Sequence, residues 1–290
     1  VTALIAAGRY AATHNAAVAL LAAVTAAPLV WMAMAALMER GEAQTYPPPW
    51  VPVRPTLDNF RQLFSRLHVA RYLLNSVIVS TAITASALVL NAMAGYAFAK
   101  LAFRGRQRIM QLLLAALVAV NAAGLGLAAL VVPLQVGMLP LFLLLKQLGA
   151  INTYWAVILP SMATIYGTFL VRQYARSIPD SLLDAARMDG AGELRIFVAI
   201  VMPLLRPVLV TLGIFTFLSA WNDFMWPLIV LTSNDKYTLP VALAILSGEH
   251  VQDAELMMAG SLLTILPALG LFLVLQRQLI GGIMLGGVKG

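Results

Sequence analysis

Residues 172–207 read RQYARSIPDSLLDAARMDGAGELRIFVAIVMPLLRP, a polar stretch between two long apolar ones. Within it, Pro179 suits the first turn of a helix, and Asp180 suits the positively polarised end of that helix. Gly190 and Gly192 allow the helix to end in a left-handed turn. The stretch therefore predicts a short helix that starts near Pro179 and ends near Gly190.

One side of this short helix is predicted to be apolar, because Leu182, Leu183 and Ala186 are taken to share one face. A second helix is expected to start near Glu193 and to lead through Pro203 into the next apolar stretch. A helix this short is not stable alone in water, so its apolar face needs a burial site. Three sites are open: the rest of this chain, the membrane surface, or a groove on a partner protein.

The composition around this stretch is that of an integral membrane protein. Hydrophobic residues make up 61% of the 290 residues and charged residues 11%, against about 45–50% and about 25% in soluble domains. Mean hydropathy is +0.87. Such a chain has too few polar side chains to cover a soluble core, which excludes a cytosolic enzyme, a disordered chain and a nucleic-acid-binding module. Cysteine is absent, which excludes disulfides and thiolate metal sites.

Long uncharged runs predict an all-α, polytopic membrane protein, since a helix that crosses a bilayer needs about 20 mostly apolar residues. The six predicted spans are residues 16–38, 72–99, 109–132, 152–172, 207–231 and 256–276. They form a single transmembrane domain over residues 1–290. The third run is too long for one span, and Pro133 and Pro140 are expected to bend its end. The first span is longer than the apolar part of a signal peptide, so we expect it to remain uncleaved.

Loop charges predict the orientation of these spans. The side that holds the N-terminus carries 12 Lys and Arg and 4 Asp and Glu, a net charge of +8, whereas the other side carries 7 of each, a net charge of 0. Asp223 lies within a span and brings the total to the net +7 of the chain. Basic loops are retained in the cytoplasm, so both termini are expected there, as six spans require.

Asp223 is the only acid predicted inside a span. A carboxylate there costs about 2.5–3.5 kcal/mol on insertion scales, so it must face protein or water. Asp223 and its neighbour Asn222 can form a polar wall of a solute pathway; alternatively, Asp223 is a structural hydrogen-bonding group or lies at the water interface. Trp221 and Trp226 also have two interpretations, as residues of the interfacial aromatic belt or as platforms for a sugar ring.

The sequence contains no enzyme motif, so no catalytic residue is predicted. His14, His68 and His250 are scattered over three segments, and no metal site is predicted either. No P-loop occurs, so the chain cannot cradle ATP phosphates by that route, and the common hydrolase motifs are missing. The polar residues in the spans that we expect to hydrogen-bond between helices are Asn75, Ser76, Ser80, Thr81, Thr84, Asn91 and Asn121.

The opening stretch resembles the EAA loop of ABC importer permeases. The matching residues are Asp184, Ala185, Ala186, Asp189 and Gly190, followed by Ile200, Val201, Met202 and Pro203. The family pattern is E-A-A-x-x-x-G followed by I-x-L-P, so Asp184 stands where Glu is usual and Met202 where Leu is usual. In that family the loop forms a coupling helix that docks into a cleft on the ATPase subunit.

Further blocks narrow the resemblance to the carbohydrate-uptake branch, with the closest likeness to MalG-like and glycerol-phosphate-type subunits. These blocks are residues 55–60, 75–76, 219–224, 236–240, 256–260 and 287–290. One region departs from the family, since the Ala- and Gly-rich stretch at residues 119–129 is longer than the family pattern.

The resemblance implies a type I ABC importer permease in which a loop at residues 177–203 couples ATP hydrolysis to transport. The residues that it assigns to ATPase coupling are Asp184, Ala185, Ala186, Asp189, Gly190 and Pro203. The candidate residues of the substrate pathway are Asn222, Asp223 and Trp221. Ala185, Ala186 and Gly190 are small and would allow close approach, and Gly190→Asp and Ala186→Glu are expected to uncouple ATP hydrolysis from uptake.

The resemblance also implies partners: a second, MalF-like permease subunit, an ABC ATPase dimer that binds ATP and Mg, and an extracytoplasmic solute-binding protein that delivers a carbohydrate. The chain itself would hold no cofactor, lie among lipids in the bacterial inner membrane and bind no nucleic acid. An ion-coupled secondary transporter is the alternative from another class, with Asp223 as the ionisable group available to it in the spans.

Overall fold

The computed structural model describes residues 2–125, 137–249 and 253–287, and all regular structure in these residues is helical, as predicted. The helices are, in chain order, α1 (Thr2–Ala35), α2 (Asp58–Ser65), α3 (Val69–Lys100), α4 (Arg106–Leu125), α5 (Met138–Gln147), α6 (Tyr154–Ser161), α7 (Ile165–Ala175), α8 (Asp180–Met188), α9 (Glu193–Ile196), α10 (Met202–Trp221), α11 (Met225–Val230), α12 (Leu239–Glu249) and α13 (Ala254–Gly287). A π-helical turn, Phe197–Val201, joins α9 to α10.

Four of the described helical segments are long and apolar enough to cross a membrane. They are Val18–Ala35 in α1, Val69–Lys100, Glu193–Trp221 and Ala254–Leu275 in α13. The pair α6 and α7, bent by 42°, makes a fifth if it counts as one span. The predicted span at residues 109–132 starts within α4. Residues 126–136, which include the end of the Ala- and Gly-rich stretch, lie outside the described residues. The number of six spans therefore stays a prediction.

Two of the predicted spans are broken helices rather than continuous ones. Residues 162–164 separate α6 from α7, and residues 222–224 separate α10 from α11. Thr164 caps α7, because its Oγ1 accepts the N–H of Gly167 at 3.0 Å. Both runs are apolar on either side of the break, so their hydropathy gave no sign of it.

The chain divides into two compact units, residues 1–70 with 242–267 and residues 71–241 with 268–290. The second unit holds α4 to α11 and most of α3. Its buried apolar residues form one cluster around α7 to α10 and another around α5, α6 and α11. The first cluster lies at the end of the helices that carries α8, the second at the opposite end.

In the first unit, buried polar groups fasten the segment that follows α1. The Asn59 side-chain amide donates to two backbone carbonyls just beyond α1, at 2.9 and 3.0 Å. Arg40 pairs with Asp253, and the Glu255 carboxylate accepts the N–H of Ala43 at 2.8 Å. These contacts hold the segment to the start of α13.

Candidate functional site

The start of α8 is fastened to the end of α3. Pro179 is the N-cap and Asp180 the first helical residue. The Nζ of Lys100 donates to the Ile178 carbonyl at 2.6 Å and to the Asp180 carboxylate at 2.7 Å. The Lys100 side chain is 7% exposed and that of Asp180 77%. The hydrogen bond and charge of Lys100 hold the pKa of Asp180 below its ordinary value, so the link is an ion pair at neutral pH.

The end of α8 is a Schellman motif. Gly190 has φ +79°, its N–H donates to the Arg187 carbonyl at 3.0 Å, and the N–H of Ala191 donates to the Ala186 carbonyl at 3.0 Å. These two bonds define the motif and satisfy carbonyls that a helix end otherwise leaves open. The predicted left-handed turn is confirmed at Gly190. Gly192 has no such role, because its backbone is extended and it forms the N-cap of α9.

Arg187 joins α8 to α9 and, through Glu193, to α3. Its Nη1 donates to the Asp184 carboxylate at 2.7 Å and its Nε to the Glu193 carboxylate at 2.8 Å. The second oxygen of Glu193 accepts the Tyr96 hydroxyl at 2.9 Å. Hydrogen bonds to Glu193 and Asp184 raise the pKa of Arg187 above its ordinary value, so the guanidinium is always charged. The acid of the EAA-like pattern, Asp184, is thus bound within its own chain.

The short helix α8 buries one face and exposes the other. Leu183 is 1% exposed and lies in the apolar cluster around α7 to α10, and Ala186 packs against that cluster. Leu182 and Met188 are 42% and 88% exposed, and Ala185 is exposed as well. We name these three residues the outer face of α8. The predicted burial is confirmed for Leu183 and Ala186 but is wrong for Leu182, which is 42% exposed although it lies one turn before Ala186.

The loop leads without a break into a span. Asp189 is the exposed C-cap of α8. Pro203 is the second residue of α10 and has no N–H to donate. The segment just before it is the π-helical turn, in which the Met202 N–H bonds the Phe197 carbonyl. The helical segment Glu193–Trp221 is therefore continuous over 29 residues.

Sequence reasoning missed two residues that hold α8, Tyr96 and Lys100, both near the end of α3. Lys100 counted only as one of several basic loop residues, and Tyr96 lies in an apolar run. A basic residue at the end of a helix is a weak signal for such a link, since it also suits the helix dipole. The partners of both residues are 78 to 97 positions away in the chain.

A cavity of about 360 Å³ opens beside the breaks of α6–α7 and α10–α11. Its polar lining residues are Ser161, Thr164, Tyr166, Thr216, Ser219 and Asp223. Asp223 is partly buried. Its neighbour Asn222 is exposed and donates to the Leu218 carbonyl at 2.8 Å. Of the three predicted pathway residues, Asp223 is the one that borders the cavity.

Both tryptophans near Asp223 are buried, which corrects their two predicted roles. Trp221 is 1% exposed, and its ring stacks on Phe217 with centroids 5.8 Å apart. Trp226 is 6% exposed, and its Nε1 donates to the Ala156 carbonyl at 2.9 Å. Neither indole has a free face for a sugar ring or for the membrane interface.

Two of the sequence blocks that resemble the carbohydrate branch contact each other. The Asn75 amide donates to the Tyr237 carbonyl at 2.9 Å, and the Ser76 hydroxyl accepts the N–H of Leu239 at 2.8 Å. The predicted bonding of polar span residues beyond their own helix is confirmed for Asn75, Ser76 and Asn91, whose Oδ1 accepts the Thr168 hydroxyl of α7 at 3.0 Å. Thr84 instead donates to the Ser80 carbonyl in its own helix. The side chain of Asn121 lies outside the described residues.

Comparison with known proteins gives matches in sequence and in fold. The profile of the family described as "Binding-protein-dependent transport system inner membrane component" matches residues 123–279, more than half of the chain. The chain is 41% identical over 236 residues to the arabinooligosaccharides transport system permease protein AraQ of Halalkalibacterium halodurans, covering 81% of this chain and 80% of that protein. It is 34% identical over 232 residues to the lactose transport system permease protein LacG of Rhizobium radiobacter, covering 80% of each.

Among solved structures, the fold is similar to a chain of a bacterial ABC transporter involved in the import of the acidic polysaccharide alginate. The TM-score is 0.75, and the match covers 92% of this chain and 95% of that one. The sequence identity is 20%, so this likeness concerns the fold alone.

Proposed function

This chain belongs to the family of inner membrane components of binding-protein-dependent transport systems, and we propose that it is the permease subunit of an ATP-driven importer for a sugar. A sugar as the solute is supported by the arabinooligosaccharide and lactose permeases, each of which aligns with about four-fifths of this chain. The chain is a transport component of the inner membrane, and its fold is that of an ABC importer permease.

In this proposal the end of the spans that carries α8 faces the cytoplasm, as do both termini. The chain forms the translocation pathway with a second permease subunit, and an external binding protein delivers the sugar. A dimer of ABC ATPase subunits binds ATP and Mg and hydrolyses the ATP. The permease then needs no catalytic residue and no cofactor of its own. The net charge of +8 on the loops at the α8 side supports this orientation.

The outer face of α8 is the observation that carries the proposal. Both ends of α8 are fastened within the chain, and Leu183 anchors its inner side. Leu182, Ala185 and Met188 remain exposed all the same. Neighbouring apolar residues left exposed on a fixed element are typical of a contact site for another protein. A short helix laid into a groove is a recurring way to make such a contact.

Coupling then follows from how α8 is held. ATP binding closes the ATPase pair and displaces α8 as a rigid body. The links from Lys100 and Tyr96 pass the displacement to α3, and the continuous helix from Glu193 passes it to α10. The spans rock about a central site and open it to the other side of the membrane. The binding protein then releases the sugar into the pathway, and hydrolysis resets the cycle.

Ala185 is a better position than Ala186 for a substitution that tests coupling. Ala186 packs against the cluster around α7 to α10, so a glutamate there would disturb the fold as well as any contact. Ala185 is exposed on the outer face, so Ala185→Glu adds a charge without changing the described core. Ala102 is an exposed residue of the loop between α3 and α4, and Ala102→Glu is the matched control.

The experiment purifies the chain from native membranes in mild detergent and identifies the proteins that travel with it. We expect a second permease and an ATPase, with ATP hydrolysis stimulated by a binding protein and its sugar. Ala185→Glu is expected to lower this stimulation at least tenfold, because an unpaired buried carboxylate costs more than about 1.4 kcal/mol. Ala102→Glu should match the unsubstituted complex. Full stimulation with Ala185→Glu would refute the contact.

The ion-coupled alternative has no support among the relatives described above, which are permeases of sugar transport systems. Depletion of ATP while the ion gradients are maintained separates the two mechanisms. Uptake by the proposed importer should then stop. Uptake that continues would support the ion-coupled mechanism instead.

A further inference from the structure

Two broken helices meet at the same cavity in the second compact unit. Residues 162–164 interrupt the pair α6–α7, and residues 222–224 interrupt the pair α10–α11. Non-helical backbone at membrane depth is tolerated only where protein buries it or where it lines a water-filled cavity. In secondary transporters, discontinuous helices mark the places where solutes bind. The shared cavity is therefore the place in this chain where a solute would find open backbone and polar side chains.

The backbone at both breaks is fixed by side chains. The N–H of Thr164 donates to Oδ1 of Asn91 at 3.2 Å, and Asn91 is fully buried. Just beyond the other break, the Nε1 of Trp226 donates to the Ala156 carbonyl at 2.9 Å. These contacts make the breaks preformed features of the chain. A preformed cavity of about 360 Å³ lies at the small end of the range of ligand sites, about 300–1,000 Å³.

The lining of the cavity combines hydroxyl-bearing with apolar residues, which suits an uncharged solute that has a polar and an apolar side. The residues with a hydroxyl group are Ser161, Thr164, Tyr166, Thr216 and Ser219, and the apolar ones are Ile83, Pro160, Leu212, Phe215 and Ala220. A hydroxyl both donates and accepts hydrogen bonds, as the hydroxyls of a sugar do. Phe215 also borders the cavity and, like Tyr166, is 52% exposed, so both offer an aromatic face to the carbon side of a sugar ring.

Asp223 is the one charged residue among the described residues that line the cavity. Lys and Arg are the side chains that bind phosphate, sulfonate and carboxylate groups, and none is among these lining residues. An anionic solute would instead meet a carboxylate of the same sign. A neutral sugar can donate its hydroxyls to that carboxylate.

We propose that this cavity is a subsite for uncharged sugars, in which Asp223 accepts hydrogen bonds from sugar hydroxyls and disfavours anionic solutes. This inference rests on the proposed importer function and names the chemical class of its solute. It goes beyond the role of a pathway wall, because it assigns both the binding groups and the charge that is excluded.

The chain has no cysteine, so one introduced thiol can probe the cavity in the intact importer complex. Ser219→Cys places the thiol on the lining, and Ser247→Cys, at an exposed residue of α12 that is not among the lining residues, is the matched control. Each variant is treated with a cationic and with an anionic methanethiosulfonate reagent of similar size, each of which forms a mixed disulfide with the thiol and releases methanesulfinate. The unsubstituted complex corrects for cysteines of other subunits.

For each variant, the rate with the cationic reagent is divided by the rate with the anionic reagent. We expect this ratio to be at least about threefold higher for Ser219→Cys than for Ser247→Cys. Adding Asp223→Asn should remove this preference. The preference in Ser219→Cys alone already tests the charge if the double variant does not fold. Equal rates for the two reagents would overturn the proposal.

Protection by solutes tests the ligand class in the same preparation. Lactose and arabinotriose are the neutral probes, and glycerol 3-phosphate is the anionic probe. We expect at least one neutral sugar to slow modification of the Ser219→Cys thiol by these reagents, and glycerol 3-phosphate to have no effect. No protection by either sugar, or equal protection by glycerol 3-phosphate, would overturn the subsite. ATP-driven uptake is measured in the same preparation. If uptake is lost while a sugar still protects the thiol, the result counts against the importer function and leaves the subsite standing.

Discussion

Replacing Gly190 by alanine isolates what the end of α8 contributes to coupling. A Cβ at Gly190 would meet no atom within 4 Å, but its φ of +79° is one that L-residues rarely adopt. The change therefore acts on the backbone alone, with a cost of about 1–2 kcal/mol. A cost of about 1 kcal/mol raises the population of the state in which this helix end is open roughly fivefold. Gly190→Asn should cost less, because Asn tolerates this conformation better.

Hydrogen–deuterium exchange of the purified importer complex measures this opening. The amide of Ala191 donates to the Ala186 carbonyl in the Schellman motif, and in Gly190→Ala we expect its exchange to be about fivefold faster or more. Sugar-stimulated ATP hydrolysis should fall in the same order, with Gly190→Ala below Gly190→Asn. Gly192→Ala is the matched control, because Gly192 has an ordinary φ of −71° and equally open space. Unchanged exchange in Gly190→Ala, or equal effects at both glycines, would refute the reasoning.

A Cβ at Gly95 would lie 2.6 Å from Val171, so Gly95→Ala is expected to lower stability by about 1–3 kcal/mol. Gly270→Ala meets open space and should not lower the thermal midpoint in detergent; equal midpoints would contradict the close contact. The ion pair with Lys100 lowers the pKa of Asp180, so its stabilisation is present above about pH 4 and is lost as pH falls through the lower folded value. The midpoint of Lys100→Met should therefore lie below that of the unsubstituted chain at pH 7, and the gap should narrow toward pH 3; a constant gap would contradict the assignment.

The local signals in the sequence were sufficient for the ends of α8. Pro179, Asp180 and Gly190 act through their own backbone or through the helix end, so their roles do not depend on distant parts of the chain. Apolar length likewise located most of the membrane-spanning helices, because that signal is summed over many residues.

Features that depend on contacts between distant residues could not be predicted. Which side of α8 is buried depends on where α3 and α10 lie, and Leu182 was therefore wrongly predicted to be buried. The breaks beside Thr164 and Asp223 lie in apolar runs whose average hydropathy hides them. The burial of Trp221 depends on its packing in the folded chain, which neither composition nor spacing reveals.

The continuous helix from Glu193 to Trp221 has a consequence for the stoichiometry of transport. At 1.5 Å per residue, its 29 residues span about 43 Å. One end is bonded to α8 through Arg187, and the other end stops two residues before Asp223. In the proposed importer, a helix that moves as one body would keep ATP hydrolysis and solute release in step. The π-helical turn Phe197–Val201 interrupts the regular α-helical hydrogen bonding of this segment, so loosening it should raise the number of ATP molecules hydrolysed per sugar transported.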